Sequence, residues 1–69
     1  MEPFQIIIKG QEYTITPYLK DGIIVYKAQV GEHEVSFEKN NEGKLSASHD
    51  HIPNEFLSEL AQKIESYFF

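Results

Sequence analysis

The sequence predicts an α+β domain: a five-stranded antiparallel β-meander, strand order 1-2-3-4-5, with one C-terminal α-helix packed on one face. Three observations carry this expectation. Glycines at 10, 22, 31 and 43 punctuate runs in which apolar and polar residues alternate. When those runs are paired through their turns, most of the apolar members fall on the same face. From Pro53 onward the hydrophobic period changes from that of a strand to that of a helix.

The first strand, over 3–9, presents Phe4, Ile6 and Ile8 to one side. Gly10 followed by Gln11 suits a type II′ turn, whose first central position needs positive φ. That turn sets Ile8 opposite Tyr13, Ile6 opposite Ile15 and Phe4 opposite Pro17. The second strand covers 12–19. Asp21-Gly22, a type I′ pair, then sets Leu19 opposite Ile24, Pro17 opposite Tyr26 and Ile15 opposite Ala28. Strand three covers 23–30, and Gly31-Glu32, again of type II′, sets Ala28 opposite Val35 and Tyr26 opposite Phe37. The fourth strand covers 33–40. A three-residue loop, Asn41-Glu42-Gly43, leads to a fifth strand over 44–49, with Lys39 opposite Leu45. Pro17 offers no ladder donor, so a bulge or an early end to pairing is expected there, displacing Leu19.

The helix begins at Pro53, which is favourable at a first helical position, and Glu55 suits the positive helix end. Phe56, Leu57, Leu60, Ala61, Ile64, Tyr67 and Phe68 form its apolar stripe. The stripe and the apolar sheet face have no other partners, so they cover each other. Residues 1–69 make a single domain. At the C-terminus, Tyr67-Phe68-Phe69, the expectation is a helix end tucked against the first strand, with Phe69 turned away from the centre of the stripe; the alternative is an aromatic plug for another molecule.

The chain has no cysteine, so neither a disulfide nor a thiolate metal site supports it. Its formal charge is −5, from eleven acidic residues against six lysines and no arginine. Acids spread over both sheet and helix disfavour nucleic-acid binding, which needs a basic stripe. The start Met1-Glu2-Pro3-Phe4 lacks the basic and apolar regions of a signal peptide, and no apolar run approaches a membrane span. A cytoplasmic location without membrane contact is the expectation.

Two groups of residues are candidate sites. Extending the fifth strand's register places His51 opposite His33 and His49 opposite Val35, gathering His33, His49 and His51 at one end of the sheet. A His-x-His pair on extended chain puts both imidazoles on one face, which zinc or nickel can use. Imidazole also titrates near neutrality, the basis of a pH-responsive site. Against this, residues 49–52 fit a loop of solvated or capping histidines. On the outer sheet face, Ile7, Tyr18, Ile23 and Val25 form the candidate patch for a protein partner or a homodimer, amid the polar residues a solvated face ordinarily carries. Both edges, Gln5 to Lys9 and Lys44 to Ser48, also offer unpaired backbone groups, with Lys9 and Lys44 as charges of the kind that discourage stray edge pairing.

An enzyme is not expected. The chain has no cysteine nucleophile, no Gly-x-Ser-x-Gly elbow and no phosphate-binding glycine loop. Ser36, Ser46 and Ser48 fall on the opposite face from the histidines. The sequence therefore points to a small interaction module, with a histidine-based metal or pH site as the alternative.

Overall fold

Four turns set the path of the chain. The computed structural model describes residues 2–68, the side chain of Phe68 excepted. Five antiparallel strands, β1 (Phe4–Ile8), β2 (Gln11–Lys20), β3 (Ile23–Val30), β4 (His33–Lys39) and β5 (Leu45–Ser46), form one sheet in the order β1-β2-β3-β4-β5. A single helix, α1 (Asn54–Phe68), follows.

Three of the four expected registers are present. Ile15 lies opposite Ala28 and Pro17 opposite Tyr26. Ala28 faces Val35, Tyr26 faces Phe37, and Lys39 faces Leu45. The first hairpin differs. Its turn is Lys9-Gly10, with φ of 51° and 78°, a type I′ pair in place of the type II′ turn at Gly10-Gln11. Consequently Ile8 faces Gln11, Ile6 faces Tyr13 and Phe4 faces Ile15, a shift of two residues that leaves the same side chains inward.

The physical reason lies in the hydrogen-bond phase of β2. Main-chain groups point alternately to the two sides of a strand, and the residues flanking a two-residue turn exchange both bonds. A strand between two such turns must contain an even number of residues to bond a different neighbour at each end. A turn at Gly10-Gln11 leaves residues 12–20, an odd number, and aims both ends at the same side. With Lys9-Gly10 as the turn, β2 has 10 residues, and β3 has 8.

The same phase accommodates Pro17 without a bulge. Counting from the Lys20–Ile23 pair beside the turn, Pro17–Tyr26 is a non-hydrogen-bonded pair. The proline nitrogen therefore faces the β1 side, where pairing has already stopped at Phe4–Ile15. Leu19 is displaced as expected, but for another reason: β2 runs five residues past its last partner in β1. Leu19 and its opposite number Ile24 are 66% and 41% exposed there.

The core lies between the sheet and α1. Leu57, Leu60, Ala61 and Ile64 of the helix pack with the inward residues of β1 to β5. Phe37, Ile15, Leu60 and Ile64 are among its largest fully enclosed side chains. Each such side chain stabilises the fold by roughly 1.5–3 kcal/mol relative to exposure. Pro53 stands one position before the helix rather than first within it. Its carbonyl accepts the N–H groups of Phe56 and Leu57, both at 3.1 Å. At the other end of α1, Tyr67 stacks on Phe4 with ring centroids 4.2 Å apart, so the helix end does lie against β1. Phe69 and the side chain of Phe68 lie outside the described residues.

The fifth strand is shorter than its expected span of 44–49. Ladder pairing ends after Ser46, because the chain must turn to place Ile52, 7% exposed, in the core. The turn is marked by Ile52 N–H donating to the His49 carbonyl at 3.5 Å.

Candidate functional site: a histidine cluster and an open sheet edge

The three histidines meet. His33 is carried by β4, while His49 and His51 sit on the loop between β5 and α1. Ring centroids are 4.9 Å apart for His33 and His49, 5.3 Å for His33 and His51, and 5.8 Å for His49 and His51. The register of β4 and β5 aims the loop at His33 even though the ladder stops at Ser46. His49 and His51 thus reach His33 from loop chain, not from an extended fifth strand.

Its geometry is one of ring contact and not of coordination. His33 and His51 stack at an interplanar angle of 19°. His49 Nδ1 accepts the backbone N–H of His51 at 3.1 Å, so in the neutral ring the proton resides on Nε2 and neither nitrogen offers a free lone pair. Among the described residues, no group of three or more His, Asp or Glu side chains is placed to hold a metal ion. His33 and His51 also line a shallow depression of about 350 Å3, shared with Tyr13, Val30 and Phe56.

The outer sheet face does not bring its four candidates together. The two-residue shift of β1 puts Ile7 opposite Glu12, six positions along β2 from Tyr18, which is roughly 20 Å at strand rise. Ile7 and Ile23 are 61% and 56% exposed, on opposite ends of that face. Tyr18 does pair with Val25. Val25, however, is 1% exposed and is not available to a partner. Lys27 stands with its Nζ 5.0 Å from the centre of the Tyr18 ring and 3.4 Å from a Glu34 carboxylate oxygen. The middle of this face is a polar arrangement with a small buried valine, not an apolar patch.

The edge at β1 is open. Phe4, Ile6 and Ile8 spend their main-chain groups on β2, because the pairs Phe4–Ile15, Ile6–Tyr13 and Ile8–Gln11 are in phase with the Lys9-Gly10 turn. Gln5 and Ile7 therefore point theirs away from the sheet, and among the described residues neither has a backbone partner. The hydrogen-bond phase that exposes these groups follows from counting residues between turns, a signal the sequence contains.

No family model, curated protein or solved structure matches this chain. Among the described residues, no helix is long and apolar enough to cross a membrane.

Proposed function

We propose that this protein is a small, non-enzymatic interaction module that binds a protein segment by strand addition at β1. The observation that carries the reading is the open edge itself. Gln5 and Ile7 offer two donors and two acceptors in a row, next to an exposed Ile7 side chain. Strand addition draws affinity from such main-chain groups and specificity from alternate side chains. Natural sheets usually guard an edge with charge, proline or a bulge. Here the strand FQIII is free of all three, and Pro3 and Lys9 stand only at its ends.

Selection of displayed, unstructured peptides against the immobilised domain tests the reading. Enriched peptides are expected to shift the Gln5 and Ile7 amide resonances and to lose binding to Ile7→Lys. Peptides that bind Ile7→Lys equally well, or that perturb a different surface, would refute it.

The convergence of His33, His49 and His51 favours a second reading, a histidine site for zinc or nickel. Capture of a metal requires His33 and His51 to unstack and His49 Nδ1 to release the His51 N–H. Zinc titration followed by amide NMR decides it. Saturation at one equivalent with shifts confined to residues 33 and 49–51, abolished in His49→Ala, supports the metal reading. Absence of a site-specific response removes it.

A further inference from the structure

We propose that the segment bound at β1 is the β1 strand of a second copy, giving a two-fold dimer with Ile6 on the axis. This inference rests on the strand-addition reading and names its partner. Three antiparallel registers are open to two β1 edges whose outward groups belong to Gln5 and Ile7. Centring on Gln5 sets Ile7 against Pro3 of the second copy, which has no N–H to give. Centring on Ile7 sets Gln5 against Lys9, which the turn holds at a φ of 51° and takes out of strand geometry. Centring on Ile6 sets Gln5 against Ile7 twice over, and all four outward donors meet all four outward acceptors.

Charge and side chains agree with that register. The chain carries a net charge of −5, which opposes most self-contacts, but the five residues of β1 are uncharged. Antiparallel pairing about Ile6 also brings the Lys9 end of each strand beside the Glu2 end of the other, a complementary arrangement. Ile7, 61% exposed, then lies next to Gln5 of the second copy and diagonal to its Ile7, within side-chain reach. Glu12, beside Ile7 on β2, faces no like charge across the seam. At the opposite edge β5 is only 2 residues long and the uncovered part of β4 carries the charged Glu34, so head-to-tail growth from β1 is disfavoured and the symmetric pair closes on itself.

Sedimentation of the whole chain from micromolar to millimolar concentration tests the proposal, together with NMR of a mixture of labelled and unlabelled copies. The expected result is a concentration-dependent dimer with an Hα–Hα contact between the two Ile6 residues and protected Gln5 and Ile7 amides. Gln5→Pro deletes an outward donor without touching the pairs to β2, and Ile7→Lys places a charge at the seam. Both variants should lose the dimer, and Ile7→Lys serves if Gln5→Pro folds poorly. A chain that stays monomeric throughout, or a dimer that survives both substitutions, overturns the proposal. Peptide capture by a monomeric chain would overturn the dimer alone, whereas failure of both would also overturn strand addition at β1.

Discussion

The two edges of the sheet are built in opposite ways. β5 has two residues, Leu45 and Ser46, and Leu45 is buried at 6% exposure. The loop before it is tied down by Asn40, whose side-chain oxygen accepts the N–H groups of Glu42 at 2.9 Å and Lys44 at 3.1 Å. The chain after it leaves at once for the helix. β1 has five residues, no charge and an exposed isoleucine on its outer face. The β5 edge is short and follows a loop closed by local hydrogen bonds, and it leaves the charged and polar Glu34 and Ser36 of β4 outside its ladder, while β1 retains the features that make strand pairing favourable.

Four substitutions break or sharpen this contrast. The largest effect belongs between the edges, at Val25 on β3. Val25→Glu buries a carboxylate on a face where Lys27 is already paired with Glu34, and should destabilise the fold by about 3–5 kcal/mol or more. Loss of a cooperative thermal transition is the expected signature; a normal melt would mean that the outer face is far more open there than 1% exposure implies. Next comes Leu45→Ala, expected to cost about 2–5 kcal/mol by denaturant unfolding, because β5 is held by its one buried side chain. Asn40→Ala removes two hydrogen bonds that close the β4–β5 loop and should cost about 1 kcal/mol. An unchanged midpoint would show that the loop does not secure that edge. The smallest change in monomer stability is expected at the open edge, where Ile7→Lys should shift the dilute-solution midpoint by no more than about 0.5 kcal/mol. A larger loss would mean that Ile7 already packs against its own chain.

Much of this architecture is legible in particular residues. Asp21-Gly22, Gly31-Glu32 and Gly43 mark their turns, and alternation assigns Ile6, Ile15, Ala28, Val35 and Phe37 to one face. The register of β1 is less legible from alternation, because a slip of two residues preserves it. What distinguishes Lys9-Gly10 from Gly10-Gln11 is the hydrogen-bond phase along β2, which a reading of side chains alone passes over. Lysine is also an uncommon residue at positive φ, so the local chemistry of Lys9 points away from the turn it adopts. The register predicts that the three histidines meet, yet their ring stacking and the bond to His49 Nδ1 depend on how the loop turns toward Ile52.

By itself the sequence determined the number and order of the strands, the inward face of each and the helical stripe that covers them. These depend on period and turn chemistry, which are local and repeat along the chain. Only the tertiary structure decided that Val25 is enclosed, that Leu19 and Ile24 are left beyond the shelter of β1, that β5 ends at Ser46, and that Ile7 stands apart from Tyr18. Each of those depends on where one element stops relative to another, and burial is set by the neighbours a side chain meets and not by the pattern it belongs to.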